Sequence, residues 1–65
     1  MEKLRFIRRS EVEVVTGLKR SSIYAKMADG TFPQAVKLGE RSVAWIESEV
    51  QSWLSERISA SRKEM

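Results

Sequence analysis

Cysteine and histidine are both missing from the 65-residue chain. Without cysteine there is no disulfide and no thiolate metal site. Without histidine the commonest general base and the commonest metal ligand are gone. An enzyme would have to work with carboxylates or serines stripped of their usual partners, so no catalysis and no cofactor are expected. No run approaches the roughly 20 apolar residues of a membrane span, and Met1 to Ser10 carries no apolar stretch of signal-peptide length. The expectation is a cytoplasmic protein with no membrane contact. One proline and three glycines are few, so each is informative about where the chain turns.

What is present suits one small domain over residues 1–65. Apolar residues make up 42% of the chain, enough for one core and too few for a large internal ligand cavity. Net stability should be only about 3–10 kcal/mol, at roughly 0.05–0.15 kcal/mol per residue. The formal charge is +3, which permits nucleic-acid binding. Its distribution says more. Residues 1–30 hold seven basic and four acidic residues, residues 31–46 two and one, and residues 47–65 three and four. A positive working face in the first two-thirds, with a C-terminal element turned away from it, follows.

Ser10 and Glu13 have the spacing of a capping box, Val12 and Val15 share a helical face, and Gly17 offers a left-handed stop. A helix over about 10–16 is predicted. Leu18, Ile23 and Met27 mark a second one over about 19–29, stopped by Gly30, with Pro33 forcing Phe32 to be extended. Two short helices joined by about three residues with a glycine form a helix-turn-helix pattern. The period then changes to two. Val36, Leu38, Val43 and Trp45 fall on one face of a hairpin over about 35–46, with Lys37, Ser42 and Ala44 on the other. Its loop is either Gly39-Glu40 in a II′ turn or the four residues Gly39 to Ser42. The second is preferred because it pairs Leu38 with Val43 and Val36 with Trp45. Ser48 and Gln51 form another capping-box pair before the stripe Val50, Trp53, Leu54 and Ile58, which predicts a third helix over about 48–60, fraying after Ile58.

The residues Arg8-Arg9-Ser10-Glu11-Val12, Thr16-Gly17-Leu18-Lys19-Arg20-Ser21-Ser22-Ile23-Tyr24, Gly30, Phe32-Pro33, Val36 through Val43, Trp45 and Glu47 through Val50 resemble AlpA-type prophage regulators. The match spans about residues 7 to 57 without gaps. It implies a mainly α, winged helix-turn-helix domain with a small β-hairpin wing, related to MerR-type and phage excisionase domains. It also implies a transcriptional regulator of prophage or integrative-element genes, often of an integrase, or a recombination directionality factor. Two positions depart from the family pattern. Lys19 stands where a capping serine is frequent, and a lysine cannot accept that bond. Ala25 stands where many members have arginine, removing a candidate base reader.

On the second helix, Ile23 and Met27 set the buried direction. Ser21, Ser22 and Ala25 point the other way, with Lys19 and Arg20 at the start and Lys26 on a flank. Short side chains let a helix sit deep in a major groove while long basic ones reach phosphates or guanine edges. The plainer alternative is an ordinary solvated surface. Arg41 at the hairpin tip suits a phosphate or a minor groove, or else protects an edge; Lys37 is a weaker candidate of the same kind. Tyr24 lies beside the buried face, ring packed and hydroxyl near solvent. The expected DNA-binding set is therefore Lys19, Arg20, Ser21, Ser22, Tyr24, Lys26, Lys37 and Arg41. Arg5, Arg8 and Arg9 fit a solvated leading strand better than a DNA-reading arm. Trp45 and Trp53 share faces with apolar neighbours and belong to the core, not to a base-stacking platform. Double-stranded DNA is the expected partner, with further copies on adjacent sites, an integrase or RNA polymerase as candidates beside it. A rival of another class is a small protein-interaction module, such as an anti-repressor, using the Val50 to Ile58 helix.

Overall fold

Glycines set the helix ends. Gly17, at φ 74°, closes the first helix by donating its N–H to the Glu13 carbonyl at 2.8 Å, the left-handed stop read from the sequence. Gly30, at φ 82°, closes the second. There the Gly30 N–H reaches Met27 O at 3.2 Å and the Thr31 N–H reaches Lys26 O at 2.8 Å, the paired bonds of a Schellman motif. The computed structural model describes residues 4–63; the ends of the expected 1–65 span, residues 1–3 and 64–65, lie outside the described residues. In chain order the elements are β1 (Phe6–Ile7), α1 (Arg9–Thr16), α2 (Arg20–Ala28), β2 (Val36–Lys37), β3 (Val43–Ile46) and α3 (Glu47–Lys63). Three helices surround a small antiparallel sheet of order β1-β3-β2. This is a mainly helical, winged-helix arrangement, with β2 and β3 as the wing.

The core gathers Ile7, Val12, Ile23, Phe32, Trp45 and Val50, one residue each from β1, α1, α2, the loop after α2, β3 and α3. Leu18, Met27, Trp53 and Leu54 pack against it half-buried. Trp45 is fully buried, and its Nε1–H donates to the Pro33 carbonyl at 3.1 Å. Trp53 donates Nε1–H to the Thr31 carbonyl at 2.6 Å and meets Phe32 edge-to-face at 4.9 Å. Both indoles thus hold the loop after α2, because a tryptophan N–H taken from water needs an acceptor. The core assignment holds for Trp45, whereas Trp53 only packs half-buried against the core.

Several expectations need correction. The wing register is Val36↔Ala44 and Lys37↔Val43, in neither of the two anticipated alignments. Leu38 N–H donates to Ser42 O at 2.7 Å, leaving Gly39, Glu40 and Arg41 as a three-residue loop. Gly39 has no positive φ, so there is no II′ turn. Directly paired residues share a face, so Val36 and Leu38 lie opposite Val43 and Trp45, and Leu38 stays 47% exposed. The reason is that β3, not β2, is the central strand. Its Ala44 and Trp45 are buried on opposite faces, while the two-residue edge strand has too little apolar surface to impose a register.

Neither capping box forms. α1 begins at Arg9 behind an extended Arg8 with no side-chain cap, and the Glu13 carboxylate is taken by Arg9 Nε at 3.0 Å. β3 runs straight into α3, where the Glu47 N–H donates to the Arg5 carbonyl at 2.7 Å. The segment entering β1 thereby satisfies a helix-start N–H that a cap would otherwise serve. β1 itself was anticipated only as a solvated lead-in, yet Ile7 pairs with Trp45 and is buried. Nor does α3 fray after Ile58. It continues to Lys63 with no glycine or proline to stop it, and Arg62 and Lys63 complement the dipole of its last turn. Ile58 is 50% exposed, so the stripe from Val50 leaves the core before its end.

Candidate nucleic-acid interface

α2 has one face in the core and one in solvent. Ile23 is fully buried and Met27 packs against the same cluster, whereas Lys19, Arg20, Ser21, Tyr24 and Ala25 are exposed. Ser22 and Lys26 lie half-buried on the flanks. α2 starts at an extended Lys19 with no side-chain cap, so its first N–H groups remain open on the same end as Lys19 and Arg20. Open N–H groups and the positive end of the helix dipole both favour an anion there.

Arg20 and Tyr24 are one turn apart, and the guanidinium carbon lies 5.8 Å from the ring centroid. The same ring meets Trp45 edge-on at 6.3 Å. The tyrosine is 38% exposed, with its ring packed as the sequence indicated. A buried indole therefore supports an aromatic ring, which in turn supports a cation at the start of the exposed helix. The sequence reading picked out both residues but not their stacking, although the i,i+4 spacing was there to suggest it.

Lys26 has a different neighbourhood. The Asp29 carboxylate accepts from Thr31 Oγ1 at 2.6 Å and from the Thr31 N–H at 3.0 Å. Asp29 is held below its ordinary carboxylate value chiefly by that hydroxyl, with the backbone bond and the charge of Lys26 adding to it. The Asp29–Thr31 pair, which braces the end of α2, was not foreseen; the Asp-Gly-Thr sequence carried the signal as a possible Asx turn.

On the wing, Lys37 is exposed on the edge strand and Arg41 is exposed within the loop of Gly39 to Arg41. The lead-in arginines are otherwise engaged. Arg5 lies 3.3 Å from Glu47 and 3.9 Å from Glu11, and Arg9 pairs with Glu13. Only Arg8 of that group has no carboxylate partner among the described residues.

A winged helix-turn-helix with a basic, exposed second helix defines a class of small regulatory domain. The family described as "Prophage CP4-57 regulatory protein (AlpA)" matches residues 5–58. The chain is 44% identical over 59 residues to protein ORF88 of Enterobacteria phage P4, covering 91% of this chain and 67% of that one. It is 40% identical over 60 residues to the DNA-binding transcriptional activator AlpA of Escherichia coli (strain K12), covering 83% of this chain and 86% of that protein. The chain belongs to the AlpA family of prophage regulators, a family of regulatory proteins and not of enzymes. Among the described residues no helix is long and apolar enough to cross a membrane.

Proposed function

We propose that the chain acts as a single winged-helix domain that binds double-stranded DNA with sequence preference and regulates transcription of prophage or integrative-element genes. The observation that carries this reading is the division of α2. Ile23 is sunk in the core while Lys19, Arg20, Ser21 and Tyr24 stand exposed on an uncapped helix start. The name of the E. coli relative, a DNA-binding transcriptional activator, supports it.

In this reading α2 enters the major groove with Arg20 at a base edge or phosphate. Ser21 and Ser22 let the backbone approach closely. Lys19 and Lys26 flank the groove, and Tyr24 serves Arg20. Arg41 and, more weakly, Lys37 bring the wing to the neighbouring backbone. A single helix and wing bury only about 600–1,000 Å² of protein surface, so regulation draws on more than one contact. Further copies, an integrase or RNA polymerase on the same DNA are the candidate partners, and an integrase gene is the candidate target. The protein then works in the cytoplasm, where that DNA lies.

Protection of source-genome DNA around recombinase genes tests the reading. A discrete protected site that is lost with Arg20→Ala and Arg41→Ala, at unchanged circular dichroism, is the expected result. Binding that is uniform across sequences and indifferent to both changes would overturn it.

A further inference from the structure

Away from the α2 surface, the loop after α2 and the first half of α3 bound an open groove of about 890 Å³. Its floor is largely apolar, with Pro33, Val36, Ile46 and Trp53 among its residues. Along its α3 side stand Glu49 and Glu56, and no basic residue lines it. Neither carboxylate has an ion-pair partner among the described residues. In a chain of formal charge +3 this is a negative, apolar patch of surface. Two such grooves cannot face each other without opposing like charges, so a symmetric pairing through this surface is disfavoured.

The complementary surface lies at the other edge of the same sheet. β3 is bordered by β1 on one side and by β2 on the other; the groove runs from Val36 of β2 as far as Ile46 of β3, whose partner on β1 is Phe6. Successive residues of an extended chain alternate in direction. Ile7 turns inward, and Leu4, Phe6 and Arg8 are all exposed, Leu4 by 71%. Leu4 to Arg8 spans about 13 Å in extended chain, and Glu49 to Glu56 spans about 10.5 Å along a helix. An apolar ribbon ending in an unpaired arginine therefore matches, in length and in charge, an apolar groove edged by two unpaired carboxylates.

We infer that the groove beside α3 receives the Leu4–Phe6–Arg8 ribbon of a second copy of this chain. The contact joins different surfaces of the two copies and leaves a free groove at one end and a free ribbon at the other. Copies therefore follow one another in one orientation. None of these residues belongs to the proposed DNA-contacting set. Where the protein does bind DNA, the arrangement calls for sites in direct, not inverted, repeat.

The lack of cysteine makes the test direct. Full-length Leu4→Cys is mixed with full-length Ser52→Cys, Ser52 lying in the groove lining. The mixture is oxidised mildly, both without DNA and on DNA carrying two mapped sites. The mixed disulfide should exceed both symmetric products. Glu56→Lys in the Ser52→Cys chain should lower it about two- to fivefold, the range for an exposed ion pair. Arg8→Glu in the Leu4→Cys chain should then restore it. Statistical proportions of the three products in both settings, a dominant Ser52–Ser52 product, or a mixed product indifferent to the charge reversals would overturn the inference. Since the DNA-free arm requires no DNA binding, failure of the DNA reading and failure of this contact are separately visible.

Discussion

The ring of Tyr24 stands edge-on to that of Trp45, with centroids 6.3 Å apart and planes at 67°. This contact joins the exposed helix to the largest fully buried side chain among the described residues. The orientation of α2 is therefore tied to the packing of the central strand.

Trp45→Ala should cost about 3–5 kcal/mol, as large aromatic deletions in cores do. It empties the centre of the core and leaves the Pro33 carbonyl without its donor. The expected stability of a 65-residue domain is only about 3–10 kcal/mol. Thermal melting followed by circular dichroism should show a variant mostly unfolded or strongly lowered in midpoint; a midpoint within a degree or two of the parent would contradict the packing.

Tyr24→Phe keeps both ring contacts and should leave DNA affinity close to the parent. Tyr24→Ala should weaken DNA binding through Arg20. A double-mutant cycle with Arg20→Ala should give a coupling of about 0.5–1 kcal/mol, the scale of an exposed cation–ring contact. Titration at fixed salt measures it, and a coupling near zero would leave Tyr24 as a packing residue only.

If Lys19, Arg20, Lys26, Arg41 and one further cation neutralise about five phosphates, log K should fall against log salt with a slope near −4.5. Arg41→Ala should reduce the steepness by about one and keep the preferred sequence. Lys26→Ala should change it less, because Lys26 lies half-buried on the flank of α2 and not on its exposed face. Fluorescence anisotropy across a salt series gives all three slopes.

The Asp29 carboxyl is held low in the folded chain, first by the Thr31 hydroxyl, against about 3.9 when unfolded. A lowered folded value means the folded state favours the ionised form. The contribution is therefore complete well above pH 3.9 and is lost as acid takes the pH down through the folded value. Melting between roughly pH 5 and 2 should show a decline that Asp29→Asn makes shallower.

The helix ends and the core face of α2 were legible because they depend on local chemistry. Gly17 and Gly30 supply the left-handed conformation that few other residues adopt, and Ile23 with Met27 repeats at helical spacing. The reading of Trp45 and Trp53 as core followed from the same periodicity. The wing register was not legible, since Val36 and Leu38 alternate in a way that suits several alignments, and the choice was made by β3 packing on both faces. The leading strand was expected to be solvated, and its place in the sheet escaped because two residues carry no period; only the long-range pairing of Ile7 with Trp45 reveals it. The capping boxes failed for a different reason. The matching spacing was there, but each helix begins one residue before the serine of its box, at Arg9 and at Glu47, so Ser10 and Ser48 lie inside the first turn and not ahead of it. At the candidate interface the residue types were readable and their interactions were not. Nothing in the α2 sequence alone indicates that Tyr24 leans on a tryptophan 21 positions away.

The passage from Ile46 into Glu47 without an intervening loop limits where this chain can grow. One residue inserted at that joint would turn all of α3 by about 100° relative to the sheet, swinging Val50 and Trp53 out of the core. Insertions at Gly39 to Arg41 would meet no such penalty, because that loop is exposed and contributes no residue to the core. Length variants selected for function should therefore accumulate in the wing tip, and the strand-to-helix joint should keep its length even where its residues change.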